Sequence, residues 1–149
     1  MKKTKIQKVY EDHGCGFPVK LINAPMVQIR GEWVLDINPN KLHEAVLNAL
    51  VFKPSRLTGD EIRFIRQYFE MTLKEFGEKF DVTHPAVRKW EETKNKATEM
   101  KWSIEKDIRL FALTGISKKA KDFLEAYREL DTKAAAKKVE IKINLAEVA

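Results

Sequence analysis

The sequence predicts an α+β protein, mostly α, in which a small N-terminal antiparallel sheet and one helix precede a five-helix domain. Three observations predict it. β-Branched residues recur in alternation between Gly16 and Ile37. Apolar residues recur at helical spacing from Leu42 to about Leu130. Between the two regions Lys53-Pro54-Ser55 reads as a boundary, dividing the chain into residues 1–53, 54–131 and a tail over 132–149. The 149 residues, 44% of them apolar, suffice for one ordinary domain or two small ones.

The first eight residues are polar and are expected to fray. Phe17–Ile22, Met26–Arg30 and Trp33–Ile37 read as short strands, with Asn23-Ala24-Pro25 and Gly31-Glu32 as the breaks between them. Asn38 suits an N-cap and Pro39 a first helical position, opening a helix with Leu42, Ala45, Val46, Ala49 and Leu50 on one face. Thr58 caps a helix over Asp60–Phe69. Thr72-Leu73-Lys74-Glu75 has the form of a capping box and opens a short helix with Leu73, Phe76, Gly77 and Phe80 inward. After Asp81-Val82, Thr83 caps a third helix, His84–Glu91, with Pro85 tolerated in its first turn.

Ser103 is the expected cap of a closing helix with Ile104, Ile108, Phe111 and Ala112 on one stripe. Ser117–Leu130 follows, and its face of Ala120, Phe123, Leu124 and Tyr127 serves either as core or as a dimer interface. Residues 131–136 are a loose Ala/Lys-rich stretch. Val139–Leu145 alternates strictly, as a late strand pairing with the N-terminal sheet or across a dimer, or as a frayed tail.

Two short helices, a tight turn and a small residue where they approach are the makings of a helix-turn-helix. Val87 and Trp90 face inward, which turns His84, Pro85, Arg88 and Lys89 outward. In that motif the outward N-terminal edge of the second helix enters the DNA major groove. Ile65-Arg66, Met71-Thr72-Leu73-Lys74-Glu75-Phe76-Gly77, Phe80, Val82-Thr83, Val87 and Trp90-Glu91 together resemble the Cro/C1 (Xre) helix-turn-helix family of repressors and antitoxins.

The resemblance implies base contacts from His84, Pro85, Arg88 and Lys89, with Arg88 or Lys89 suited to guanine and Pro85 to a thymine methyl. It implies phosphate contacts from Thr72, Lys74, Thr83, Thr93, Lys94 and Lys96. Two positions depart from the family. Leu73 stands where Gln is frequent, and Glu92 follows Glu91 where Gly is usual.

Upstream, Phe17-Pro18-Val19, Asn23-Ala24-Pro25 and Gly31-Glu32 resemble the layout of MqsA-type antitoxins, which place a zinc-binding, toxin-contacting domain before the Xre domain. Their paired Cys-x-x-Cys knuckles have no counterpart here. Cys15, His13 and His43 are too few and too oddly spaced for a tetrahedral site, so no metal or other cofactor is expected. Trp33, Phe17 and Leu35 are then left to hold the sheet.

Composition narrows the function classes. The net charge of +6 permits an anionic partner, but residues 56–115 hold 12 basic and 11 acidic side chains, so DNA affinity must come from a local arrangement. A single cysteine excludes an internal disulfide and suits a reducing cytoplasm. The N-terminus lacks the apolar block of a secretory signal, and no apolar run is long enough for a membrane helix. There is no Gly-rich phosphate loop. The three histidines form no motif with a Ser or Cys nucleophile, and the carboxylates read as solvated faces, so no enzymatic activity is expected. The expected protein is a homodimeric repressor on double-stranded operator DNA, in its most concrete form an antitoxin that also binds a toxin. A stand-alone repressor and a protein-binding scaffold are the rivals.

Overall fold

The computed structural model describes residues 2–132 and 140–148. The elements run β1 (Thr4–Asp12), β2 (Val19–Ile29), β3 (Glu32–Leu35), α1 (Pro39–Val51), α2 (Gly59–Tyr68), α3 (Leu73–Lys79), α4 (His84–Glu91), α5 (Trp102–Leu113), α6 (Ala120–Thr132) and β4 (Ile141–Asn144). A 3-10 turn, Leu145–Glu147, follows. The α+β class is as expected, but the sheet is mixed: β1 and β3 flank β2 antiparallel, and β4 joins β2 in parallel.

Two expectations at the N-terminus are corrected. Residues 4–8 do not fray; they begin a nine-residue strand whose Thr4 faces Val27 and whose Asp12 faces Val19. Asn23-Ala24-Pro25 does not break the next strand, which runs unbroken for eleven residues. Asn23 takes a left-handed conformation at φ 54°. There the burial alternation changes phase, from Val19 and Leu21 inward to Ala24 and Met26 inward. Pro25 survives because its carbonyl, bonded by the Asp36 amide at 2.8 Å, and its missing donor share one side. On that side β4 pairs only residues 19–22 and β3 only 26–29, so no strand needs the donor.

The inner sheet face carries Val19, Leu21, Ala24 and Met26, joined by Ile141 and Ile143 from β4. Against them lies α1, capped by Asn38, whose side chain accepts from the Asn40 amide. It buries Leu42, Val46, Leu47, Leu50 and Val51; Ala45 and Ala49 are half-buried. The expected boundary at 53/54 is crossed by one continuous core, which runs from Val19 through Leu50 and Leu57 to Ile108 and Leu130.

A buried charge network ties the same junction. Arg109 of α5 donates to the carbonyls of Val51, Lys53 and Ser55 and to the Glu105 carboxylate. Glu105 also accepts from Arg56 Nε at 2.8 Å and from the Leu57 amide. Lys53 Nζ lies 2.7 Å from Glu61, both side chains nearly enclosed. Glu61 and Glu105 are thus not solvated helix faces, as their charge suggested. An ion cannot leave water without partners, and each has them.

Further along, Lys101 rather than Ser103 occupies the N-cap of α5, without a side-chain bond; Ser103 lies inside the helix. On α6 the docked residues are Ala126 and Leu130, whereas Phe123, Leu124 and Tyr127 remain 41–48% exposed, so that stripe is not core. The loose stretch expected over 131–136 does not begin at 131, because α6 runs on through Thr132; residues 133–136, Val139 and the side chain of Ala120 lie outside the described residues.

Candidate nucleic-acid interface

Three local devices set α3 and α4 against each other. The Thr72 hydroxyl accepts from the Glu75 amide at 3.1 Å while the Glu75 carboxylate accepts from the Thr72 amide at 3.0 Å, completing a capping box at the start of α3. These bonds hold the Glu75 carboxyl below its usual range. The chain then turns at Asp81, which is left-handed at φ 56°, and Val82 N–H returns to Gly77 C=O at 2.8 Å. A Cβ on Gly77 would stand 2.7 Å from Val82 O, so only glycine admits this approach. Thr83 finally caps α4 by accepting from the Ala86 amide at 3.3 Å, with Pro85 in the first turn where no amide donor is needed.

The rotation of α4 about its axis is fixed by what it buries. Val87 is fully enclosed and Trp90 nearly so. The opposite side carries His84, Pro85, Arg88 and Lys89, all four exposed. The helix is clamped at its far end by Arg66 of α2. Arg66 Nε and Nη2 meet the two Glu91 carboxylate oxygens at 2.7 and 2.9 Å, and Nη1 bonds Met71 C=O at 2.9 Å. One planar guanidinium therefore joins α2, the α2–α3 turn and α4. The start of α2 closes on the end of α4: Gly59 N–H bonds Lys96 C=O, and Asp60 N–H bonds Lys94 C=O at 2.9 Å.

The candidate phosphate-binding residues fare unevenly. Lys74, Lys94 and Lys96 are exposed. Thr72 and Thr83 are exposed but their oxygens already accept capping bonds. Thr93 is half-buried, and its hydroxyl lies 2.8 Å from Trp90 C=O and 2.9 Å from Lys96 C=O. Its hydrogen is thereby engaged within the loop, which makes Thr93 a structural residue and the weakest of the six. Arg88 and Lys94 line one cleft of about 420 Å³ with Arg63 and Arg66, beside Asp60, Glu91 and Glu92. Arg63, exposed one turn before Arg66, is the cation that sequence reasoning missed; its spacing from Arg66 was the available signal. Burial, and then Glu61, push the Asp60 carboxyl up against the pull of Arg63 and Lys94.

Of the residues weighed for a metal, His13 and Cys15 share the β1–β2 turn, whereas His43 lies on α1. His13 stands 3.6 Å from Glu11, and His43 lies edge-on to the Phe64 ring. Cys15 is half-buried, its thiol pushed up to about 11 by burial and by Asp12, so it stays protonated at neutral pH. Among the described residues no three His, Cys, Asp or Glu side chains gather as a metal site, and no helix is long and apolar enough to cross a membrane. Comparisons with protein-family models, curated proteins and solved structures return no match for this chain.

Proposed function

We propose that the chain is a sequence-specific DNA-binding regulator, with α3 and α4 as its helix-turn-helix and α4 as the helix that enters the major groove. The observation that carries this reading is the outward row of His84, Pro85, Arg88 and Lys89 at the capped start of α4. A helix is narrow enough for the groove, and its N-terminal side chains reach the base edges first. Arg88 or Lys89 supplies donors for guanine O6 and N7; Lys74, Lys94 and Lys96, with Arg63, hold the flanking backbone. Repression follows by occlusion of the operator.

Two copies on one operator need a self-complementary surface, and α6 offers one. Its Phe123, Leu124 and Tyr127 are 41–48% exposed on one stripe, with Lys106 of α5 over the Tyr127 ring. Antiparallel packing of two such helices stacks the apolar stripe on itself, as an isologous interface requires. Leu124→Glu is accordingly expected to give monomers in sedimentation equilibrium and to weaken operator binding at least tenfold, without lowering the melting temperature. A dimer unaffected by the substitution places the interface elsewhere.

The antitoxin role is the more specific form of this reading, supported by the sheet-bearing N-terminal part beside the DNA-binding helices. Selection from a pool of random duplexes tests the reading at its root. The expected product is a pseudo-palindrome with half-sites about one turn, roughly 34 Å, apart. Enrichment of no sequence would favour the rival, in which α3 and α4 are a scaffold for protein contacts.

A further inference from the structure

The outer face of the sheet is apolar and bare. Cross-strand partners share a face, so the pairs Val9–Ile22, Thr4–Val27 and Val27–Val34 put Val9, Ile22, Val27 and Val34 on one side, with Ile6 and Ile29 in the same alternation. None of these six side chains packs against the core, which lies on the opposite face with Leu21, Met26 and Leu35. Ile6 is 71% exposed, Val9 49% and Ile29 45%. A contiguous patch of this kind on a folded surface marks an interaction site rather than scattered exposure.

We propose that this outer face docks a second, different protein, whose contact surface is an apolar ridge flanked by carboxylates. Charge argues for that occupant. Lys2, Lys3, Lys8 and Arg30 are exposed around the patch and Lys20 lies on the same face; the carboxylates there are Glu32, Glu11 two residues from Val9, and Glu140 paired with Lys20, which leaves a basic surplus. Lys3 lies beside the β2–β3 turn that holds Arg30, since its carbonyl accepts from the Gln28 amide. A second copy of the chain would set one net-basic face against another. The free edge of β1 is guarded too. Its lysines and the Gln7 side chain, which donates to Val9 C=O at 2.8 Å, oppose edge-to-edge pairing, so the face and not the edge is offered. The apolar residues are short and β-branched, and Trp33 lies on the other face with Lys5 over its ring. That is a flat surface suited to a protein, lacking the projecting aromatic and leucine side chains of a membrane-binding face. The inference concerns the sheet alone and stands whether or not α4 reads DNA.

The test uses the whole chain, immobilised by a C-terminal tag, in a lysate of its native cells. Retained proteins are identified, produced and titrated in purified form against wild type, Ile6→Glu/Ile29→Glu and Lys3→Glu/Arg30→Glu, with melting curves as the folding control. The expected result is an identified partner of net negative charge whose affinity falls at least tenfold in each variant at unchanged melting temperature. Its affinity is also expected to fall as salt rises, because the rim charges are exposed. Four outcomes overturn the proposal: no acidic partner, a partner that either variant binds as tightly as wild type does, a wild-type dimer abolished by Ile6→Glu/Ile29→Glu, or flotation with anionic phosphatidylglycerol vesicles that depends on Ile6.

Discussion

Arg109→Met is expected to cost about 3–5 kcal/mol of folding stability, the range seen when one partner of a buried ion pair is removed. Arg109 is 1% exposed and Glu105 fully buried. Methionine fills much of the volume but donates nothing. The carbonyls of Val51, Lys53 and Ser55 lose their guanidinium donor, and Glu105 keeps only Arg56 and the Leu57 amide. Burial pulls the Arg109 pKa below its usual value while Glu105 acts to raise it; arginine nonetheless remains charged at neutral pH. In a chain of this size the loss corresponds to a melting temperature lower by about 10 °C or more, read by calorimetry. Arg109→Lys is expected to recover only part of it, because a single ammonium cannot reach three carbonyls and a carboxylate from one plane. Full stability in Arg109→Met would mean that the 51–55 segment is held by its apolar neighbours alone.

Arg66→Met is the second large effect, and it acts on stability and binding together. The pair retains about a tenth of its side-chain surface in contact with water, at 14% and 11% for Arg66 and Glu91. The expected cost is therefore below the fully buried range, about 2–3 kcal/mol. Glu91 is left without its fork, the Met71 carbonyl loses its donor, and the end of α4 is no longer tied to α2. On the DNA-binding reading, operator affinity falls at least tenfold at a temperature where the variant is still folded. Adding Glu91→Leu removes the stranded carboxylate and is expected to restore stability more than affinity. Equal recovery of both would show that α4 needs no clamp to be presented correctly.

What could be read from the sequence follows from the range of each interaction. The four caps at Asn38, Thr58, Thr72 and Thr83 were legible because a cap is complete within three residues. The outward face of α4 was legible because Val87 and Trp90 fix its rotation. β1 was not, since an edge strand that uses lysines to deter pairing shows no apolar run. The parallel pairing of β4 with β2 depends on contacts such as Asn23 Nδ2 with Asn144 Oδ1, 121 positions apart, which no local pattern encodes. Glu105 and Arg109 do leave a trace in the sequence. They stand four apart on the apolar stripe of α5, where an ion pair must be buried if the helix is. Arg63 has its spacing from Arg66 as a local signal, but its place beside Arg88 and Lys94 exists only once α4 is laid beside α2.

The most direct test of the central claim, that the outward face of α4 reads DNA, is equilibrium binding of Arg88→Ala/Lys89→Ala to the selected operator, beside wild type at one salt concentration. Both residues are exposed and bond no core element, so the melting temperature should stay within about 1 °C, as for surface substitutions generally. With each base contact worth about 1–3 kcal/mol, the account predicts that specific affinity falls about a hundredfold, toward the level of unrelated duplex. A double variant that binds its operator as tightly as wild type, at the same melting temperature, would contradict it.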